Sequence, residues 1–347
     1  MTLKKPQFID FVEKNRTIEQ AEEIFQQRLD DAQDIYSKFS NQFTIRPCPI
    51  CGHETFKKLE PFHSSYGVVQ CSKCMSAYVN PCPSLEALSH YYNFSKCNAQ
   101  LGEIFRSRVK KGNIIMSSRT SCVLELIENL IAQNDTVRVL EVGCSSGSFL
   151  SELNEALEHK DIANQVTLEG IDLDAAAVKR CVDSKITLHA QSAEDFSSQN
   201  EKAFDLVLHF ELLEHLADPL SFMKAVFTML NDGGYCHFHT PNANGFDNQA
   251  LSYNDFRPLA HGIFPPMHLQ AFTPQNILHF VLRAGFQLHQ LDTPGNFDVD
   301  IVKRFHNRKP VSEFSLIEKF SDDQLAIVQL WFQRVYASSH MRCTVRK

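Results

Sequence analysis

The stretch Val137-Arg138-Val139-Leu140-Glu141-Val142-Gly143-Cys144-Ser145-Ser146-Gly147-Ser148-Phe149-Leu150 limits the fold more than any other part of the chain. Its first half is a β-branched and aliphatic run, long enough for one buried strand. Two glycines then bracket a tight turn, and Ser148 to Leu153 restarts with helical spacing. A strand, a glycine turn and a helix in that order let the backbone approach a ligand closely, with helix N–H groups pointing at it. Glu141, in the last turn of the strand, does not suit a pyrophosphate. It suits a ligand carrying positive charge or N–H donors. Glu141, Gly143, Cys144, Ser145 and Gly147 are therefore candidate cofactor contacts.

Further landmarks repeat the alternation. Val166 to Asp172 reads as a second strand ending in an acid, and Asp172, with Leu173 beside it, stands where a carboxylate accepts both hydroxyls of a ribose. Ile186-Thr187-Leu188-His189 is a short third strand followed by Glu194 and Asp195, placed to take the exocyclic amine of an adenine. Phe204 to Phe210 is a fourth strand, with Glu211-Leu212-Leu213-Glu214-His215-Leu216-Ala217-Asp218-Pro219 at its carboxyl end. The E-x-G-x-x-x-G turn, G-x-D, A-E-D-F, F-D-L-V and L-E-H-L-A-D-P, in this order, resemble the class I S-adenosylmethionine-dependent methyltransferases over residues 112 to 347. That resemblance implies a doubly wound α/β fold with a seven-stranded, mainly parallel, Rossmann-like sheet, S-adenosylmethionine as cofactor, and Phe210 among its contacts. Ser145 departs from the pattern, where glycine is usual. A nicotinamide or flavin dinucleotide needs G-x-G-x-x-G instead, and the spacing here is G-x-x-x-G.

The chain of 347 residues has room for two domains, and its 43% hydrophobic and 22% charged residues are those of a soluble globular chain. No apolar run approaches the roughly 20 residues of a membrane span. Met1 to Pro6 leads into charged sequence and not into an apolar leader. The net charge of −7 argues against a protein coated for nonspecific nucleic-acid binding. Eleven cysteines, four of them tightly clustered, favour a reducing compartment and metal binding over a disulfide scaffold, so the cytoplasm is expected.

The expected organisation is an N-terminal helical segment (1–42), a zinc ribbon with its following helix (43–95), a linker (96–111) and the catalytic domain (112–347). Ile18, Ala21, Phe25, Leu29, Ala32, Tyr36 and Phe39 form the apolar stripe of an amphipathic helix. The rest of this chain or a second copy suits that stripe, and packing in cis is expected. Cys48-Pro49-Ile50-Cys51-Gly52 and Cys71-Ser72-Lys73-Cys74 are two C-x-x-C knuckles whose thiolates complete a closed tetrahedral site for structural Zn2+. Redox pairs are the alternative. Thr55, Phe56, Val68 and Val69 suffice for a small hairpin, and Ser84 caps the helix that begins at Leu85. Cys82 and Cys97 read as ordinary buried thiols. The run C-P-I-C-G, C-S-K-C, Y-V-N-P-C-P-S and Y-Y resembles the ribbon that precedes the methyltransferase domain in bacterial enzymes of surface-polysaccharide and sugar modification.

Lys96, Arg106, Arg108, Lys110, Lys111 and Arg119 face one acid, Glu103, in a basic segment that is either a phosphate-facing patch or a solvated linker. Ser121 to Ile131 and Pro219 to Leu230 read as helices, and Gly234 to Pro241 as the fifth strand. From Asn242 to His268 periodicity disappears, and a loop of that length is usually functional. It is expected over the carboxyl ends of the strands. A helix from Phe272 to Gly285, a sixth strand to Asp292 and a last antiparallel strand over Ser338 to Val345 complete the chain.

A sulfonium-bound methyl group is already activated, so the enzyme holds a nucleophile in line with it at about 3 Å and, for a hydroxyl, takes its proton. His215 and His268 are the candidate bases. Glu211, Glu214 and His215 match E-x-x-E-H, which in quinone-biosynthesis O-methyltransferases is associated with a divalent ion. Capping of the strand-four loop is the alternative role. Three functions remain in view. A methyltransferase acting on a small molecule, a sugar or glycan precursor, leads. An RNA methyltransferase anchored by the ribbon is disfavoured by the acidic balance. A non-catalytic cofactor-binding scaffold is disfavoured by the intact Gly143, Gly147, Asp172 and Asp195. Oligomeric state is not legible.

Overall fold

The computed structural model describes residues 18–62, 65–98, 100, 118–181, 183–251, 262–296, 298–308 and 314–347. In chain order these begin with helix α1 (Ile18–Phe39), strands β1 (Phe56–Lys58), β2 (Val68–Cys71) and β3 (Ala77–Val79), and helix α2 (Leu85–Phe94). An alternating part follows: α3 (Ser118–Ile131), β4 (Val137–Val142), α4 (Ser148–His159), β5 (Val166–Ile171), α5 (Ala175–Val178), β6 (Ile186–His189), α6 (Ala193–Ser197), β7 (Phe204–Phe210), α7 (Pro219–Met229) and β8 (Leu230–Pro241). The chain closes with α8 (Phe246–Leu251), α9 (Pro274–Arg283), β9 (Gln287–Asp292), α10 (Asp298–Arg308), α11 (Asp322–Arg334) and β10 (His340–Arg346). No described helix is long and apolar enough to cross a membrane.

Seven strands form one sheet in the order β6-β5-β4-β7-β8-β10-β9. The first five are parallel to their neighbours, and β10 enters antiparallel between β8 and β9. Strand β4 is central, which is why it reads as an almost unbroken apolar run. Val137 and Val139 pack with Val123, Ile127, Leu150 and Leu153 of α3 and α4. Leu140 and Val142 face the other way, toward Phe222, Val226, Ile277 and Phe280 of α7 and α9. The strand order reverses between β4 and β7, so a crevice opens at their carboxyl ends, where this class of sheet binds ligands.

The ribbon strands form a separate antiparallel sheet in the order β1-β2-β3. Its open edge is covered by Leu269 to Ala271: Val79 N–H donates to Leu269 O (2.8 Å) and Ala271 N–H to Ala77 O (2.9 Å). The expectation of one long loop over Asn242 to His268 is thereby corrected. It contains helix α8, residues 252–261 lie outside the described residues, and residues 262 to 271 are buried. Their side chains pack against α1, the ribbon and α2. Helix α1 packs in cis, with Phe25 and Ala32 against Phe62, Tyr66, Val79, Ile263, Phe264 and Leu269.

Two helices without a counterpart in the sequence expectations, α10 and α11, close the carboxyl side. Gln329 Nε2 bonds Gly295 O and Asp298 Oδ2, both at 2.7 Å, and Phe246 stacks on Phe332 at 4.3 Å. The local signal for α11 was present, since Ser321 and Gln324 form a capping box. Phe238, fully buried in β8 and stacked on His209 at 4.7 Å, tests the main core. Phe238→Ala is expected to cost about 3–5 kcal/mol in denaturant unfolding. A loss under about 1 kcal/mol would show that the site collapses without a cavity.

Candidate functional site

The turn after β4 is built on left-handed backbone. Gly143 (φ 79°) and Gly147 (φ 77°) adopt it freely, and Ser145 (φ 52°) adopts it without being glycine. Asp172, at the end of β5, holds that strained residue: Ser145 N–H donates to Asp172 Oδ2 and Asp174 N–H to Oδ1, both at 2.8 Å. Cys144 is buried, and its N–H donates to Ile171 O at 3.2 Å. These predicted cofactor contacts thus share one loop system. Leu173 projects into solvent at 79% exposure, a free apolar surface beside Asp172. Glu194 and Asp195 lie exposed in the first turn of α6, where Ser192 Oγ donates to Asp195 Oδ2 at 2.8 Å.

Glu141 is buried at 5% exposure, and its Oε2 has no hydrogen-bond partner. Burial raises its pKa to about 8, against the pull of Arg119, so the free protein holds it protonated at neutral pH. Arg119, in the first turn of α3, lies over the Phe210 ring at 4.2 Å, and Phe210 meets Phe149 edge-on at 4.9 Å. The sequence showed Arg119 only as the end of a basic segment. The tertiary structure turns it toward Phe210 and Glu141 at the crevice. Arg106, Arg108, Lys110, Lys111 and Arg257 lie outside the described residues.

At the carboxyl end of β7 the predicted histidines come together. The rings of His215 and His268 are 4.7 Å apart and perpendicular at 87°. His215 Nδ1 is 3.0 Å from the Tyr92 hydroxyl, and Nε2 is 3.5 Å from Glu214 Oε1. Thr240 Oγ1 donates to Glu214 Oε2 at 3.0 Å. His268 donates from Nδ1 to Gly262 O at 2.9 Å, which fixes its tautomer. Burial, then the neighbouring His268, pushes His215 well below the ordinary histidine value; burial, then Glu211, pushes Glu214 well above the carboxylate range. Both shifts favour the uncharged form. Tyr92, from α2, was missed; its only sequence signal was the aromatic pair closing that helix.

The expected grouping of Glu211 with Glu214 and His215 is corrected. Glu214, His215 and His268 have ligand atoms all within 4.8 Å of one another, and Glu211 is outside that group. Glu211 has left-handed backbone (φ 50°), and only one 3-10 turn follows, over Leu213–His215. Without a continuous helix its carboxylate points elsewhere, toward His340 Nε2 at 3.7 Å.

A family described as a methyltransferase domain matches residues 116–291. The chain belongs to this family. It is similar to the ubiquinone biosynthesis O-methyltransferase of Aromatoleum aromaticum, 34% identical over 113 residues, which is 31% of this chain and 45% of that protein. The same enzyme of Hydrogenovibrio crunogenus is 34% identical over 112 residues, 30% of this chain and 43% of that protein. The chain thus spans less than half the length of these two relatives. Among solved structures, an S-adenosylmethionine-dependent methyltransferase from Archaeoglobus fulgidus is 16% identical with a TM-score of 0.40, covering 66% of this chain and 94% of that one. The plantazolicin methyltransferase BamL is 14% identical with a TM-score of 0.47, covering 75% of this chain and 94% of that one.

Ahead of the methyltransferase domain, Cys48, Cys51, Cys71 and Cys74 converge. Their sulfurs stand 3.6 Å apart for Cys48 and Cys74, and 3.5 Å for Cys51 and Cys71. A tetrahedral S4 zinc site with bonds near 2.3 Å has edges of about 3.8 Å, so the donors fit that ion. The domain reaches into this site: Asn276 Nδ2 donates to Ser76 Oγ (2.8 Å), which lies 3.0 Å from Cys74 Sγ. Arg283 Nη1 donates to Ile50 O within the first knuckle at 3.3 Å.

Two outcomes test the crevice. Asp172→Ala is expected to weaken S-adenosylmethionine binding by about 2–3 kcal/mol in calorimetry, as for charge-assisted hydrogen bonds; unchanged affinity would remove Asp172 from the site. For Glu141 the folded pKa is raised, so its stabilising contribution is complete below the unfolded carboxylate value and is lost as pH rises toward 8. Thermal stability should therefore fall more steeply between pH 5 and pH 8 in the wild type than in Glu141→Gln, and parallel profiles would contradict the buried-acid assignment.

Proposed function

We propose that this protein transfers a methyl group from S-adenosylmethionine to a small-molecule acceptor, a sugar or glycan precursor, seated at the carboxyl ends of β7 and β8. The observation that carries the reading is the His215 imidazole, in hydrogen-bond contact with the Tyr92 hydroxyl and packed edge-on against His268, beside a crevice of cofactor-binding character. When bound, the cofactor supplies a methyl group that is already activated. The chain's own residues then bind and orient: Asp172 accepts ribose hydroxyls, Glu194 and Asp195 accept from adenine, and Arg119 pairs the ligand carboxylate. Glu141 ionises against positive charge. His215 takes a proton from an acceptor hydroxyl, and His268 braces it or shares that task. The relatives named O-methyltransferases support an oxygen acceptor, and the likeness of the ribbon to sugar-modifying enzymes supports the acceptor class.

The Cys48, Cys51, Cys71 and Cys74 site holds a structural zinc in this reading, closed to substrate. A segment as short as the ribbon buries little by itself, so metal binding contributes much of its folding free energy. A second reading adds a divalent ion at Glu214, His215 and His268, favoured by the convergence of one oxygen and two imidazole donors. It requires Glu214 to ionise on loading, against its buried setting.

Labelled cofactor incubated with separated small-molecule and RNA fractions identifies the acceptor. Label in the small-molecule fraction is expected. His215→Ala should lower kcat by about 10²–10⁴ with cofactor affinity within about twofold. Turnover that survives this substitution would move the base to another residue, and turnover lost to chelators with the ribbon zinc retained would favour the second reading. Label in RNA, with a steep salt dependence lost on neutralising Arg106, Arg108, Lys110 and Lys111, would overturn the small-molecule reading. For the ribbon, one zinc per chain is expected, and Cys48→Ser with Cys51→Ser should unfold residues 45 to 80. A metal-free protein whose ribbon stays protected in hydrogen exchange would contradict the zinc assignment.

A further inference from the structure

The short segment carrying His215 has almost no internal support. It makes one 3-10 turn, with His215 N–H donating to Leu212 O at 3.0 Å and Leu216 N–H to Leu213 O at 3.4 Å. Its carbonyls are held from outside. Gln270 Nε2 donates to Leu213 O and, at 3.0 Å, to Leu216 O. Leu269 N–H donates to Glu214 O at 2.7 Å, and Arg46 Nη1 donates to Ala217 O. Gln270 and Arg46 are joined to each other, since Arg46 Nη2 donates to Gln270 Oε1 at 3.2 Å. Gln270 is 1% exposed.

Arg46 belongs to the ribbon. It stands two residues before Cys48, and Asn80 fixes its backbone on both sides: Arg46 N–H donates to Asn80 Oδ1 at 3.0 Å, and Asn80 Nδ2 donates to Arg46 O at 3.3 Å. Its guanidinium lies 5.9 Å from the centre of the Tyr78 ring. Asn80 directly follows β3, the strand that pairs with Leu269 to Ala271.

We infer that Arg46 and Gln270 are positioning residues: they hold the backbone of residues 213 to 217 from the ribbon side and so set where His215 stands. The ribbon is then part of the acceptor-side centre and not a separate anchor. The inference rests on His215 being the acceptor-side base, but the contacts themselves do not depend on it. A guanidinium suits this task because its planar fork reaches a backbone carbonyl and a side-chain amide in fixed directions at once, which an ammonium does not. Removing Arg46 takes the side-chain donor from Ala217 O, and removing Gln270 takes the donor from Leu216 O and one of two from Leu213 O, which loosens the segment locally.

Hydrogen exchange read by mass spectrometry on the full chain, with and without S-adenosylmethionine, tests this without a known acceptor. Arg46→Ala and Gln270→Ala should each speed exchange across residues 211 to 218 by at least about tenfold, an opening of about 1.4 kcal/mol. Residues 137 to 150 should exchange as in the wild type, and cofactor affinity should stay within about twofold. Arg46→Lys should fall between Ala and wild type. Asn80→Ala, which touches no residue of the segment, should reproduce part of the Arg46→Ala effect. Wild-type exchange over 211 to 218 in both alanine variants overturns the inference. So does loosening spread equally over residues 137 to 150, which would mark Arg46 as a general stability residue. If His215→Ala leaves turnover intact while these variants still loosen the segment, the base assignment fails and the clamp stands.

Discussion

Leu269 to Ala271 is hydrogen-bonded along both edges, to β3 of the ribbon on one side and to the segment after β7 on the other. Much of the structure depends on that double pairing. It covers the open edge of the ribbon sheet, which would otherwise present free backbone groups to another chain. It buries Tyr78 completely and gives Phe25 and Ala32 of α1 a surface to pack on. It also brings Tyr92, from the helix after the ribbon, to the imidazole of His215. Two modules separate in sequence are thus joined by ordinary ladder hydrogen bonds.

Electrostatics divides the centre into two halves. On the crevice side, Glu141 is an acid without a partner on Oε2, next to Arg119 and an aromatic pair. Such a group is costly to ionise alone and ready to ionise for a cationic ligand. On the acceptor side, burial favours the uncharged forms of Glu214 and His215, which stand beside Thr240, Tyr92 and His268. Burial drives both halves, and it acts in opposite directions on a carboxyl and an imidazole. A neutral imidazole can accept a proton, whereas one already charged cannot.

The strand–turn–helix unit, the succession of strands along the chain, the cap at Ser84 and the four convergent cysteines were legible in the sequence. Each depends on contacts within a few residues or on a spacing that admits few geometries. The E-x-x-E-H spacing pointed to Glu214 and His215, which do come together, while Glu211, left-handed in its backbone, stands outside their group. Residues 262 to 268 read as loop because buried, irregular backbone carries no amphipathic alternation, which is the signal such readings use.

By itself the sequence determined the class of sheet and the residue types gathered at the ends of β4 and β5, since local propensity and spacing act along the chain. Only the tertiary structure decided that Arg119 turns into the crevice, that Tyr92 and His268 meet at His215, and that Arg46 reaches Ala217 across 171 positions of sequence. Those contacts exist because burying the ribbon and α1 against the main sheet removes apolar surface from water. Once that burial had placed the backbones, the polar groups enclosed with them had to find partners across the interface.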